Sequence, residues 1–331
     1  MNILTFDIEE WALAKAGGYG TSAKYAEYDK FLDGILGMLD ARGLKATFFC
    51  TGLMAQEFSR VVRLIQGRGH EIGCHSHRHT WMNKMTETEA REDTHAAVFA
   101  LEQCVGQKVI SYRAPAFSIS KKNKWMFEIL AENGIENDSS VYPAARDFGG
   151  FPNFSFQEPC IVKYSGVEMK EYPIRMTRLL GKEMAFSGGG YFRLFPLSYV
   201  KRMISNSKYT MCYFHIEDLL PEKGGVPSKE RYESYFKEPG TFRNRYIRYI
   251  KSNIGKKGAW NKLEELIRTE EFMNIDKANM MLNWDEVPHF VLSDADTIGI
   301  NWGGVILSYG VHRLELNFSA DCALWKGRAV A

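Results

Sequence analysis

The sequence has few cysteines, no Cys-x-x-Cys pair and no long hydrophobic run. Six cysteines are scattered over 331 residues, which favours buried reduced thiols over a disulfide framework or a zinc–thiolate site. The apolar stretches fall well short of the roughly 18 residues that a membrane-spanning helix needs. The first residues lack a basic region and contain the acids Asp7, Glu9 and Glu10. We therefore expect no secretory signal, no transmembrane segment and a cytoplasmic location.

An excess of one charge is also missing. The chain has 42 Lys+Arg and 40 Asp+Glu, a formal net charge of +2, with 45% hydrophobic and 25% charged residues. These values are typical of globular proteins, and they provide no broad cationic field to attract nucleic acid. We expect no nucleic-acid partner, and at roughly 100–200 residues per domain the length allows about two domains.

Apolar runs and helical periodicities alternate through the first 220 residues. The patterns predict strands near 2–7, 45–51, 71–74, 109–113, 135–138 and 210–215, and helices near 31–39, 53–67, 86–104, 121–133 and 197–206. Thr86 and Glu89 have the spacing of a capping box, and alternation over 160–164 and 167–172 predicts a hairpin or edge strands. Repeated strand–helix units require a parallel sheet with right-handed crossovers, either open or closed into a barrel. The predicted fold class is α/β.

The remainder of the chain has a different pattern. The polar residues 221–240 predict a loop. Two amphipathic helices are predicted at 242–254 and 259–269, and the sequence from residue 286 onward has the pattern of β-strands. We therefore divide the chain into a core (1–220), a helical extension (221–285) and a β-like tail (286–331) to which no function is assigned. The first extension helix is basic on its predicted exposed face, through Arg243, Arg245, Arg248 and Lys251. This pattern is typical of a solvated helix face, with glycan or lipid-phosphate binding as the alternative.

Three histidines stand directly after the strand predicted at 71–74, in the segment His75-Ser-His-Arg-His79. If a helix begins here, His75 and His79 lie on one face at i and i+4, where two imidazoles can share one metal ion. His77 then points elsewhere. A polar loop that is rich in histidine by chance is the alternative.

Acidic residues end the first predicted strand. Side chains two positions apart share a strand face, so Asp7 and Glu9 can point into the same cavity while Glu10 points away. One carboxylate of such a pair can bind a cation while the other transfers a proton. A solvated turn is the alternative interpretation.

Three further polar residues follow or end later strands. Arg113 can hold a carboxylate in a bidentate pair, Asp138 ends the short strand near 135–138, and His215 ends the strand at 210–215. Each alone is consistent with a surface or core role. However, the carboxyl ends of parallel strands meet at one edge of a barrel, where active sites collect. The combination favours an enzyme.

In this order, the five segments around Asp7, His75–His79, Arg113, Asp138 and His215 resemble the motifs of the polysaccharide deacetylase family. This family is also called the NodB homology domain of carbohydrate esterase family 4. The resemblance covers about residues 1–220 and implies a distorted, seven-stranded (β/α) barrel. The segment 187–196 is similar to a branch found in bacterial exopolysaccharide loci, whose members carry a C-terminal extension.

The resemblance also implies a divalent metal, most often zinc, with Co²⁺, Ni²⁺ and Fe²⁺ as further possibilities. It implies that His75 and His79 are metal ligands. Many members have two consecutive aspartates in the first motif, with the second on the metal, whereas this chain has Asp7-Ile8-Glu9. Strand alternation favours Glu9 as the carboxylate ligand, and Glu10 stays open.

The remaining roles carried over by the resemblance are catalytic. Asp7 would be the general base, Arg113 would hold Asp7, His215 would be the general acid and Asp138 would orient His215. The implied activity is metal-dependent removal of N-acetyl groups from amino sugars of a surface polysaccharide or of a lipid- or nucleotide-linked precursor. The alternatives are a deformylase of lipid-linked amino sugars and a sugar-binding protein of the same fold without turnover.

Overall fold

A computed structural model of the chain describes residues 1–293 apart from positions 147, 180, 222–224 and 237, and beyond residue 293 the backbone of three strands. The strands are β1 (Asn2–Ile8), β2 (Thr47–Cys50), β3 (Glu71–Cys74), β4 (Ser111–Tyr112), β5 (Asn137–Asp138), β6 (Cys160–Tyr164), β7 (Val167–Glu171), β8 (Met176–Leu179), β9 (Lys182–Ala185), β10 (Thr210–His215), β11 (His289–Leu292), β12 (Ile298–Trp302), β13 (Val305–Gly310) and β14 (Arg313–Phe318).

The helices are α1 (Glu10–Ala16), α2 (Ser22–Ala41), α3 (Gly52–Glu57), α4 (Ser59–Gly67), α5 (Glu87–Val105), α6 (Met126–Glu132), α7 (Gly189–Leu194), α8 (Leu197–Ser205), α9 (Ile216–Leu219), α10 (Lys229–Phe236), α11 (Phe242–Asn253), α12 (Ala259–Thr269) and α13 (Ile275–Met281). In the part of the chain that the structure describes, none of them is both long and apolar enough to span a bilayer.

The central sheet is mostly parallel, and helices flank it. Its strand order is β10-β1-β2-β3-β4-β5-β7-β6-β11-β12-β13-β14, with parallel pairing from β10 through β7. The predicted hairpin is present, because β6 and β7 pair antiparallel. This topology confirms the predicted α/β class. The hydrogen-bonded order of the described strands runs from β10 to β14 and does not itself close a ring.

The core lies on both faces of the inner strands. Residues 3–8 of β1 are buried without a break, as expected of a parallel strand covered on both sides. The Phe6 ring packs against Phe48 at 5.0 Å and Phe214 at 5.9 Å between ring centroids. On one face, α2 buries residues at helical spacing, including Leu32, Ile35 and Leu39. These contacts fix β1 and β10 side by side, with their carboxyl ends at the same edge.

Local signals in the sequence agree with several boundaries. Thr86 and Glu89 form the predicted capping box of α5, and the helix ends at Gly106 with a left-handed φ of +68°. The helix predicted at 53–67 is instead two helices, α3 and α4, because Phe58 between them leaves the helical region (φ −130°, ψ 39°). Hydrophobic periodicity continues across this break, so it could not reveal the break.

The C-terminal region differs from one prediction and agrees with another. The loop predicted over 221–240 is wrong in part, since α10 occupies Lys229–Phe236 and buries Tyr232. The β-like tail contributes strands, as predicted. Its first strand, β11, pairs parallel with β6 and so joins the central sheet.

Candidate active site

The site is built at the carboxyl edge of the sheet. Asp7 and His215 are direct register partners in the parallel pair β1–β10, and Glu9 follows β1 as the N-cap of α1. Nε2 of His215 lies 3.7 Å from Oδ2 of Asp7 and 4.0 Å from Oε1 of Glu9. Asp7 and Glu9 therefore both face the His215 imidazole, on the same side as strand alternation predicts, although Glu9 itself lies just beyond the strand.

A cluster of three buried ligand atoms lies beside this pair. One ligand atom each of Glu9, His75 and His79 falls within 4.8 Å of the others. Oε2 of Glu9 is 2.5 Å from Nε2 of His79 and 3.4 Å from Nε2 of His75. Burial raises the pKa of the Glu9 carboxyl, but His79, His75 and His215 outweigh it and hold that pKa well below its usual value. Glu9 is thus an anion pointed at two imidazoles.

The outer nitrogens of the two imidazoles have partners of their own. Nδ1 of His75 lies 2.7 Å from the Arg113 carbonyl oxygen, which can only accept, so Nδ1 carries a proton. Nδ1 of His79 lies 3.4 Å from the Tyr235 hydroxyl. The Nε2 atoms of both rings are thus the nitrogens that face Glu9. Two imidazole nitrogens and one carboxylate oxygen that converge in this way form a donor set that suits a divalent cation.

The loop that carries the histidines differs from the expected helix. Residues 75–79 are not helical, and Ser76 and His79 adopt left-handed φ angles of +61° and +58°. The turn brings the imidazoles of His75 and His79 together, with ring centroids 5.2 Å apart. His77 points elsewhere, as predicted, and its backbone N–H donates to Asp93. Two histidines four residues apart therefore converge through a strained loop rather than along one helix face.

The sequence left open whether Glu9 or Glu10 is the carboxylate ligand. Their hydrogen bonds distinguish the two residues. Oε1 of Glu10 accepts from the Glu217 backbone N–H at 3.1 Å, and Oε2 accepts from the Glu9 N–H at 3.2 Å. Burial, together with the charge of Glu9, raises the pKa of Glu10 to about 8. Glu10 is therefore largely protonated at neutral pH and is directed at α9, and Glu9 is the candidate ligand.

Asp7 is held by Arg113, as the family resemblance implies. Nη1 of Arg113 donates to Oδ1 of Asp7 and to the Thr5 hydroxyl, both at 2.8 Å, and Nη2 donates to the Ser139 hydroxyl at 2.9 Å. The guanidinium is fully buried and lies 4.3 Å from the centroid of the Phe49 ring. This leaves Oδ2 of Asp7 on the side of His215.

The predicted pairing of Asp138 with His215 is wrong. Nδ1 of His215 lies 3.0 Å from Oδ2 of Asp218. Asp138 instead accepts from the Ser140 hydroxyl at 2.5 Å and faces Glu171, deeper in the sheet. The signal for Asp218 was its spacing, because a residue at position three of a helix reaches back to the N-cap. His215 is the N-cap of α9, and its backbone N–H also donates to Oδ2 of Asp218 at 3.3 Å.

The electrostatics of His215 favour its protonated form. Burial lowers the pKa of its imidazole, but Asp218, Glu9 and Asp7 outweigh this effect and hold the pKa well above 6.5. Arg193 lies 3.4 Å from the other oxygen of Asp218 and helps to keep that carboxylate ionised. The His215 side chain is 31% exposed, so a ligand in the cavity can reach it.

A buried carboxylate, an imidazole favoured in its protonated form and a Glu–His–His cluster meet at one edge of an α/β sheet, an arrangement that can transfer protons and hold a cation. Residues 3–137 match the family described as Polysaccharide deacetylase. This match assigns residues 3–137, and not the whole chain, to that family. Residues 139–279 match a second family, described as a domain of unknown function (DUF3473).

Two curated relatives are similar to the chain over part of their length. The chain is 30% identical over 127 residues to the peptidoglycan-N-acetylglucosamine deacetylase of Bacillus cereus, covering 37% of this chain and 46% of the relative. It is 28% identical over 98 residues to the peptidoglycan deacetylase of Helicobacter pylori, covering 30% and 32%. The matches thus span less than half of either relative.

One solved structure is similar over most of both chains. It is a Mycobacterium smegmatis protein named as a polysaccharide deacetylase candidate, with a TM-score of 0.56 and 17% sequence identity, covering 86% of this chain and 91% of that one. This similarity confirms the fold.

Proposed function

We propose that the protein is a metal-dependent hydrolase that removes N-acetyl groups from amino sugars of a bacterial surface polysaccharide or its precursor. The observation that carries the proposal is the cluster of Glu9, His75 and His79. The cluster lies between two ion pairs. One joins Asp7 to Arg113, and the other joins His215 to Asp218.

Glu9, His75 and His79 would hold the cation. Two imidazoles and one carboxylate suit Zn²⁺ and leave a position for water or substrate, while Co²⁺, Ni²⁺ and Fe²⁺ accept the same donors. A bound divalent cation lowers the pKa of water and polarises an amide carbonyl. The nitrogen-rich donor set makes Zn²⁺ our preferred ion.

Asp7 would accept the proton of the attacking water. Arg113 binds its Oδ1, and its free Oδ2 lies 3.7 Å from Nε2 of His215. The acetyl carbon gains a bond to the water oxygen, and the C–N bond then breaks to give acetate and a sugar amine.

His215 would donate the proton that the amine needs as it leaves, because an amine anion is too basic to depart. Asp218 orients Nδ1 of His215, so that Nε2 faces Asp7, Glu9 and the cavity.

The test combines metal analysis with product analysis. The purified protein should contain about one divalent ion per chain and release acetate, not formate, from N-acetylglucosamine oligomers. His75→Gln should lose the ion and the activity, whereas His95→Gln, on the exposed side of α5, should retain both. Formate as the product would favour a deformylase. Neither metal nor product would leave only the sugar-binding alternative.

The substrate class is testable with two polymers. The named relatives are peptidoglycan deacetylases, whereas the segment 187–196 is similar to a branch of exopolysaccharide loci. We expect faster acetate release from an N-acetylated exopolysaccharide than from peptidoglycan. A preference for peptidoglycan would contradict the assignment to that branch without affecting the chemistry.

A further inference from the structure

Helix α11 presents an apolar face to solvent. Phe242, Tyr246 and Ile250 follow one another at four-residue spacing along it, and Ile254 continues this row as the C-cap, with Ile247 beside it. Their exposed fractions are 66%, 45%, 45%, 43% and 41% in that order. Single exposed apolar residues are ordinary, but five on one side of one helix mark a contact surface.

The same face is positively charged. Helix α11 contains four cationic residues and no Asp or Glu. Arg243 and Lys251 are exposed beside the apolar row, and Lys257 is exposed just beyond the helix. The other two cations differ from the prediction of a solvated basic face. Arg245 donates to the Gly240 and Pro227 carbonyls, and Arg248 packs over aromatic rings.

The middle of α11 is connected to the candidate metal site through rings. Arg248 lies 4.6 Å from the centroid of Phe236, whose ring is 4.8 Å from that of Tyr235. Tyr235 packs on His79 at 6.2 Å between centroids. Arg248, on the packed side of α11, is therefore three side-chain contacts from a candidate ligand.

The end of α11 is connected to the candidate acid. Nη1 and Nη2 of Arg193 donate to the Ser252 and Lys251 carbonyls at 2.5 and 3.1 Å. Nε of the same arginine faces Asp218 at 3.4 Å. The helix is thus anchored to the rim of the cavity, with its apolar face directed away from the core.

We propose that α11 docks this protein on an anionic lipid bilayer. Interfacial helices combine a buried apolar row with flanking cations, and cations near an anionic leaflet are attracted to it. A second copy of the chain fits less well, because two helices without acids would face each other. A soluble glycan would account for Phe242 and Tyr246 but not for the exposed isoleucines. Docking in this way would hold the catalytic cavity beside the membrane surface.

Vesicle co-sedimentation of the full chain tests this proposal. The protein should sediment with vesicles containing phosphatidylglycerol, more weakly at high salt, and far less with pure phosphatidylcholine. The double variant Phe242→Ser/Ile250→Ser should reduce partitioning by about ten-fold per residue. Arg243→Glu changes the charge by two units and should reduce partitioning by about 30-fold.

Matched controls lie away from α11. Phe99→Ser changes an apolar residue of α5 that is 59% exposed, and Lys108→Glu reverses a cation that is 83% exposed and precedes β4. Neither should alter sedimentation, and circular dichroism should show every variant folded. Absence of sedimentation, or sedimentation that the α11 variants leave unchanged, would overturn the proposal. Concentration-dependent dimerisation that these variants abolish would assign the face to a second copy. The assay detects no deacetylation, so it is independent of the proposed chemistry.

Discussion

Two ion pairs at the residue scale prepare the site for opposite proton transfers. Arg113 donates to Oδ1 of Asp7 at 2.8 Å and leaves Oδ2 on the side of His215. Asp218 lies 3.0 Å from Nδ1 of His215 and raises the pKa of that imidazole against the effect of burial. The proposed general base thus keeps an oxygen available to accept a proton, and the proposed general acid is favoured in its protonated form.

Replacing Asp218 by Asn should impair the acid without removing the ion. The Asp218→Asn variant loses a negative charge beside His215, so the pKa of His215 falls. We expect kcat to drop by about ten-fold or more. We also expect the alkaline limb of the pH–rate profile to move to lower pH, because the imidazole then loses its proton earlier. Steady-state acetate release between pH 5 and 10 measures both effects.

Asp138→Asn is the control for that assignment. Asp138 is buried against Ser140 and Glu171 rather than His215, so its replacement should leave the position of the alkaline limb unchanged. If the alkaline limb moved in the Asp138→Asn variant and stayed in place in Asp218→Asn, the result would support the role that the family resemblance implies for Asp138.

Arg113 should matter for stability as well as activity. Arg113→Met removes one partner of a fully buried pair and leaves the Asp7 carboxylate without compensation, which costs about 3–5 kcal/mol. Urea unfolding measures this loss. Arg60→Met breaks the exposed pair with Asp29 and should cost less than about 1 kcal/mol. Equal losses in the two variants would contradict the burial argument.

Residue spacing predicts part of this site and misses the rest for a physical reason. Asp7 and His215 are register partners near the ends of neighbouring strands, and Glu9 follows the first of these strands, so topology brings the three together. Asp218 belongs to a four-residue helix whose existence depends on the tertiary position of its N-cap. Local spacing alone therefore could not rank Asp218 above Asp138, which also ends a strand.

At the scale of elements, α10 is the clearest addition to the sequence prediction. Its sequence is too polar to show an apolar period, since most of Lys229–Phe236 is charged or hydroxylated. The helix is instead held by ring contacts with other segments, such as Phe236 with Phe148 at 5.2 Å between centroids. Such tertiary contacts stabilise a helix whose sequence alone shows little preference for helical structure. The consequence is that α10 brings Tyr235 to the ring of His79.

Tyr235→Phe tests whether α10 supports the metal site. The phenyl ring keeps the packing on His79 but removes the oxygen 3.4 Å from Nδ1. Loss of such a partner to a metal-binding histidine weakens metal affinity by about 10–100-fold. Because this contact is long, we expect the lower end of that range, measured by competition with a chelator. Tyr246→Phe, on the exposed face of α11, should leave affinity unchanged.

At the scale of the whole molecule, the C-terminal region is joined to the first strand. Met273 accepts from the Leu4 N–H and donates to the Asn2 carbonyl, both at 3.0 Å, and β11 pairs with β6. Residues 273–292 thus add hydrogen bonds to two strands of the central sheet, β1 and β6. Pairings between segments so distant in sequence depend on the complete topology, which is why the compositional change near residue 221 predicts a boundary but not these contacts.

The stability of the whole molecule should depend on pH through His70, which precedes β3 at the end of the sheet opposite the site. Burial, with smaller contributions from Lys45 and Arg68, lowers the pKa of His70 to about 4. Nδ1 of His70 accepts from the Ala46 N–H at 3.3 Å. Below its ordinary pKa of about 6.5 the unfolded chain binds a proton that the folded chain takes up only near pH 4.

The contribution of neutral His70 is therefore fully present above pH 6.5 and is lost as the pH falls towards 4. We expect about 1–3 kcal/mol less stability at pH 4 from this residue, allowing for partial solvent screening. His70→Asn retains an acceptor for the Ala46 N–H but does not titrate, so its unfolding free energy should fall less steeply over this window. His95→Asn, on the exposed side of α5, should follow the parent protein. Parallel pH profiles for His70→Asn and the parent in urea titrations would rule His70 out as the source, because other acids that titrate in the same window are common to both proteins.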